Sequence, residues 1–108
     1  MSADVHVSDA ARRVERGDAV LLDVREAEEW QAGHAPAAQH LPMSALRDRL
    51  ADVPQDRPLL AICRSGNRSG QVAAALAQIG YEIENVDGGM KAWVKAGLPL
   101  EPPEGRIA

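Results

Sequence analysis

The chain has 108 residues, 45% of them hydrophobic and 26% charged, with a formal net charge of −4. This size buries roughly two-thirds of the surface the unfolded chain exposes, enough for one globular domain over residues 1–108 with its core at about residues 5–97. The acidic balance excludes general nucleic-acid binding, which neutralises phosphates with Lys and Arg, and the longest aliphatic runs, about five residues, fall far short of the roughly 18 that cross a bilayer.

The absence of Phe, with one Tyr and two Trp, means an aliphatic core and few rings on which bases could stack. Residues 1–7 lack the basic start and apolar stretch of a secretory signal, so a cytoplasmic location is expected. The single cysteine, Cys63, cannot form an internal disulfide or a Cys-pair metal site. It fits a reducing compartment and leaves a free thiol, and no cofactor is expected.

In chain order, Ser8 and Asp9 open a polar-capped segment whose apolar face, Ala10, Ala11 and Val14, predicts a short helix over 9–16. Residues 19–24 are an apolar run closed by Asp23, the pattern of a strand buried on both faces of a parallel sheet. Residues 26–32 predict a helix with Glu26, Glu28 and Glu29 at its positive end. A short strand at 39–41 lies between Pro36 and Pro42, and Ser44 is placed to cap a helix running to Leu50.

The second buried-strand pattern, residues 59–62, runs directly into Cys63. From Ser69 the spacing of Val72, Leu76 and Ile79 predicts an Ala-rich helix that Gly80 stops. A strand over 81–86, a turn at Asp87-Gly88-Gly89, a helix over 90–96 and a Pro-containing tail over 98–108 complete the chain. Strands alternating with helices predict an α/β fold with a mainly parallel sheet, whose ligand sites lie at the carboxyl ends of strands.

Cys63 stands at such an end. The strand–loop–helix order points the unpaired N–H groups of a helix start at the thiol. Gly66 admits positive φ, so the loop Cys63-Arg64-Ser65-Gly66-Asn67-Arg68 can curl its amides around an anion. No acidic residue lies between Asp56 and Glu82, whereas Arg57, Arg64 and Arg68 all do. Arginines and a helix start lower a thiol from roughly 8.5 and favour the nucleophilic thiolate. The same field would hold a persulfide or the sulfonate oxygens of thiosulfate.

The loop Cys63-Arg64-Ser65-Gly66-Asn67-Arg68-Ser69 resembles the active-site loop of the rhodanese family, in the arginine-rich form associated with thiosulfate and not with 3-mercaptopyruvate. Leu21-Leu22-Asp23-Val24-Arg25-Glu26 with Glu29-Trp30 and Gly33-His34 is similar to the family's upstream signature. Asp87-Gly88-Gly89, Trp93 and Gly97-Leu98-Pro99 are similar to its C-terminal one. The resemblance implies a five-stranded, mainly parallel sheet flanked by helices on both faces. It also implies a two-step sulfurtransferase with Cys63 as the sulfur carrier, thiosulfate as donor, and cyanide, a small thiol or a thioredoxin-like protein as acceptor. The segment Gly33-His34-Ala35-Pro36-Ala37-Ala38 departs from the family's Gly-His-Ile-Pro-Gly-Ala.

Asp23 and Arg25 are expected to organise the end of the strand as supporting residues, and Gly88 and Gly89 to serve the turn. His34 and His40, like Trp30 and Trp93, are expected in structural or surface roles. A cysteine phosphatase or arsenate reductase would place five residues between Cys and Arg; here four separate Cys63 from Arg68, a smaller ring suited to sulfur. The same residues are compatible with a noncatalytic binding module, and with a persulfide relay that passes sulfur to a biosynthetic partner.

Overall fold

A computed structural model describes residues 4–107. In chain order the elements are β1 (Asp4–Val5), α1 (Val7–Glu15), β2 (Val20–Asp23), α2 (Ala27–Ala32), β3 (Gln39–His40), β4 (Leu59–Ile62), α3 (Asn67–Gln78), β5 (Ile83–Val86) and α4 (Gly89–Lys95). The strands form one sheet in the order β1-β5-β4-β2-β3, with every pairing parallel. All four residues of β2 and of β4 are buried, as expected of central parallel strands covered on both sides.

Alternation along these strands separates two apolar layers. Leu21, Leu60 and Ile62 pack with Val7 and Ala10 of α1 and with Met90 and Trp93 of α4. Val20, Leu22, Leu59, Ala61 and Cys63 face the other way, onto Val72, Ala73 and Leu76 of α3. Each fully buried Leu contributes roughly 1.5–3 kcal/mol relative to exposure. Both layers therefore anchor β4, and the residue following β4 inherits a fixed position.

From β2 the chain proceeds outward to β3, whereas from β4 it proceeds to β5 on the opposite side. The carboxyl ends of β2 and β4 thus flank a point where the strand order reverses, the place where open α/β sheets leave a crevice. Arg25 follows one of these ends and Cys63 the other.

Three expectations change. The edge strand β1 is absent from the sequence-based reading: it has two residues, only Val5 buried, and its partner β5 lies some eighty positions away. The helix expected from Ser44 to Leu50 is instead two 3-10 turns, Met43–Ala45 and Leu50–Asp52. The Ser44 hydroxyl donates to Glu26 Oε1 at 2.7 Å and caps no backbone N–H. Helix α1 is capped by His6, whose Nδ1 accepts from Ser8 N at 3.2 Å, and not by Ser8 or Asp9.

The tail is tied to the domain. Glu101 exchanges two backbone hydrogen bonds with His34, Trp93 Nε1 donates to Pro99 O at 2.8 Å, and Arg106 N donates to Ala32 O at 3.0 Å. Leu98, Leu100 and Ile107 pack at the edge of the α1–α4 layer.

Candidate active site

Cys63 follows β4 directly and is 1% exposed. The chain then turns through Arg64 and Ser65, both exposed, to Gly66, whose φ of 104° initiates α3. A side chain at that φ would strain the backbone. With glycine there, the Gly66 N–H points back at Cys63 Sγ, at 3.1 Å.

A second donor comes from inside α3: Ser69 Oγ lies 3.2 Å from Cys63 Sγ. Burial pushes the Cys63 thiol up, but the Ser69 hydroxyl together with the backbone N–H groups of Ser69, Gly66 and Ser65 outweighs it and holds the thiol below its ordinary value. Asn67, the first residue of α3, is exposed. Arg64 is exposed at the rim of the loop.

Arg68 is already engaged. Its Nη1 and Nη2 donate to Glu29 Oε1 and Oε2 at 2.6 and 2.7 Å, a bidentate pair joining α3 to α2. Glu29 Oε1 also accepts from Glu26 N at 3.1 Å, which closes a capping box at the start of α2. The Arg68 guanidinium holds the Glu29 carboxyl below the usual carboxylate range, against the opposing effect of burial.

Asp23 and Arg25 form a completely buried ion pair. Arg25 Nε and Nη2 donate to the Asp23 carboxylate at 2.8 to 3.1 Å, Nη2 also donates to Gly33 O at 2.8 Å, and Arg25 N donates to Asp23 Oδ1 at 3.0 Å. Arg25 Nη1 is buried with no hydrogen-bond partner among the described residues. The pair joins the end of β2 to the end of α2 and makes no hydrogen bond to Cys63.

His34 and His40 are turned to the backbone. His34 Nδ1–H donates to Trp30 O at 2.8 Å and His40 Nε2–H to Arg25 O at 2.7 Å, a carbonyl being able only to accept. Both imidazoles stack on the Trp30 indole, with centroids 3.6 and 4.7 Å away. The Asp87-Gly88-Gly89 turn does more than reverse the chain. Met90 N and Lys91 N donate to Cys63 O and Arg64 O at 2.8 and 3.0 Å, so the start of α4 rests on the loop's own carbonyls. A Cβ on Gly89 would lie 2.4 Å from Cys63 O.

Sequence reasoning placed Ser69 at the end of the loop and Glu29 in the upstream signature but gave neither a role at the thiol, and it left out Asn85. Ser69 and Asn85 each carried a signal. Ser69 is a polar residue on the stripe that continues through Val72 and Leu76, and Asn85 a poor strand former within β5; both are buried. Buried polar groups need partners. Ser69 Oγ lies 2.5 Å from Asn85 Oδ1, and Asn85 Nδ2 donates to Gly66 O at 3.2 Å.

The sequence model of the family described as "Rhodanese-like domain" matches residues 6–96. The chain belongs to the rhodanese-like family. It is 41% identical over 95 residues to a protein named "Sulfurtransferase" from Allochromatium vinosum, covering 87% of this chain and 89% of that one. It is 40% identical over 92 residues to a protein named HTH-type transcriptional regulator from Mycobacterium tuberculosis, covering 83% of this chain and 41% of that longer protein. Among solved structures, a rhodanese-related protein from Thermoplasma volcanium superposes with a TM-score of 0.85 at 30% identity, covering 91% of this chain and 96% of that one. The α/β architecture of this chain is thus that of the rhodanese-like fold.

Proposed function

We propose that this chain is a sulfurtransferase that moves sulfane sulfur from thiosulfate to cyanide or a thiol acceptor through a persulfide on Cys63. The observation that carries the reading is the thiol itself. Cys63 Sγ lies at the carboxyl end of β4, hydrogen-bonded by Gly66 N and Ser69 Oγ and held toward thiolate. Family membership and the 41% identity to a sulfurtransferase support the same chemistry.

In the first step the Cys63 thiolate attacks the outer sulfur of thiosulfate. A new S–S bond forms, the bond within thiosulfate breaks, and sulfite leaves with its electron pair. In the second step cyanide or a thiolate attacks the outer sulfur of the persulfide, giving thiocyanate or an acceptor persulfide, and Cys63 leaves as thiolate. Burial of Sγ shields the inner sulfur from the acceptor and directs attack to the outer one.

The loop amides, with the charges of Arg64 and Arg68 on the same loop, are the groups assigned to the donor's sulfonate. Arg68 adds its charge to the loop while its Nη1 and Nη2 each donate to Glu29. Cyanide, small thiols and a thioredoxin-like protein are the acceptors this chemistry accommodates, in a reducing compartment such as the cytoplasm.

Steady-state thiocyanate formation with thiosulfate and cyanide varied together tests this. Parallel double-reciprocal lines are expected, with Cys63→Ser reduced to background. Intersecting lines, or a Cys63→Ser rate close to that of the unaltered protein, would overturn the persulfide cycle. Transfer from a protein persulfide but not from thiosulfate would overturn the assignment of the donor.

A further inference from the structure

Cys63, Gly66, Asn85 and Ser69 close a ring of hydrogen bonds. Gly66 N reaches Cys63 Sγ at 3.1 Å, Gly66 O accepts from Asn85 Nδ2 at 3.2 Å, Asn85 Oδ1 lies 2.5 Å from Ser69 Oγ, and Ser69 Oγ lies 3.2 Å from Cys63 Sγ. Cys63, Ser69 and Asn85 are 1%, 0% and 6% exposed. The amide's orientation is fixed because its nitrogen must face the Gly66 carbonyl. Its oxygen therefore faces Ser69.

A serine hydroxyl has one proton to donate. Here two acceptors stand within reach of it, the sulfur and the Asn85 oxygen. We propose that Asn85 is a positioning residue that competes with Cys63 for the Ser69 hydroxyl proton and so sets how readily Cys63 becomes a nucleophile.

With Cys63 as a thiol, its S–H donates to Ser69 Oγ and the hydroxyl donates to Asn85 Oδ1. When the thiol proton leaves to solvent, the hydroxyl rotates about its Cβ–Oγ bond and donates to the thiolate. Asn85 Oδ1 is then left without that donor in a buried place, which is unfavourable. Asn85 thereby holds back the thiolate that Ser69 stabilises. The resting thiol stays partly protected, and the sulfur retains a donor that turns to it when charge develops there.

Other charges surround the sulfur. On the elements packed around the loop these are Arg68 of α3 with Glu29 of α2 and the Asp23–Arg25 pair after β2, while Arg64 of the loop and Asp87 and Lys91 at the turn into α4 are exposed. Substitutions at Ser69 and Asn85 leave all of them in place. The consequence for turnover rests on the persulfide reading, but the proton arrangement does not, and alkylation separates the two.

The test is the rate at which iodoacetamide alkylates Cys63 as pH is varied, in the unaltered protein and in Ser69→Ala, Asn85→Leu and their double variant. Ser69→Ala is expected to move the midpoint upward. Asn85→Leu, by giving the hydroxyl a single acceptor, is expected to move it downward and to speed alkylation at mildly acidic pH roughly three- to tenfold. The double variant should share the midpoint of Ser69→Ala, because Asn85 acts through that hydroxyl.

Asn85→Val, a better strand former, serves as the second variant if Asn85→Leu does not fold. A midpoint that stays or rises on removing Asn85, or that shifts equally with and without Ser69, would overturn the proposal; the latter would show that Asn85 merely steadies Gly66. Normal alkylation behaviour in a protein that transfers no sulfur would sink the persulfide reading and leave this one standing.

Discussion

At Cys63 two opposing effects meet on one atom: burial disfavours the anion, and the donors from Gly66 and Ser69 favour it. Glu29 and Arg68, across the loop, bear on the architecture that holds those donors in place. Because the Arg68 guanidinium lowers the Glu29 carboxyl, the pair stabilises the fold above the ordinary carboxylate range of about 4.3. That contribution is lost as pH falls through the lowered value. Glu29→Gln should therefore be less stable than the unaltered protein near neutrality, by about 1 kcal/mol for a partly exposed pair. The two should converge in acid. Urea unfolding at a series of pH values checks this, and parallel curves would count against it. The proximity of Glu29 to Arg68 was hidden in the sequence because the partners are 39 positions apart and come from different helices. Cys63 and Gly66, by contrast, lie in one short segment whose turn chemistry is local.

Among the elements, α4 has a closer bearing on the site than its position in the chain suggests. Its first N–H groups hold Cys63 O and Arg64 O, and Gly89 leaves the room for that approach. Gly89→Ala should cost more than the roughly 1–2 kcal/mol of a left-handed residue, because its Cβ would overlap the Cys63 carbonyl. Gly17 is the control: its φ of 77° is similarly left-handed, but nothing lies within 4 Å of an added Cβ. Denaturant unfolding should rank Gly89→Ala well below Gly17→Ala, and equal losses would contradict the close approach. The sequence showed a turn at Asp87-Gly88-Gly89, but not what the turn touches. It also showed β2 and β4 through their apolar runs, and a strand over 81–86 of which β5 takes Ile83–Val86. The 3-10 turns after Pro42 escaped it because Ser44 is diverted to Glu26, a partner from another part of the chain.

For the whole molecule, the Asp23–Arg25 pair is the joint between the sheet, the end of α2 and the tail that crosses it. Arg25 reaches Gly33 O, and the backbone of Gly33 lies against that of Arg106 and Gly105. Arg25→Ala would leave the buried Asp23 carboxylate without its guanidinium, with only the backbone N–H of residue 25 to bond it, a loss of about 3–5 kcal/mol. A domain of this size has only about 5–15 kcal/mol in total. The variant should therefore unfold at a much lower urea concentration or fail to fold; stability within about 1 kcal/mol of the unaltered protein would refute the buried pair's role as a joint.

The persulfide on Cys63 is tested most directly by intact mass. The protein incubated with thiosulfate should gain the mass of one sulfur atom, localised to Cys63, and lose it on addition of cyanide as thiocyanate forms. An absent adduct, or one that persists in Cys63→Ser, would contradict the account.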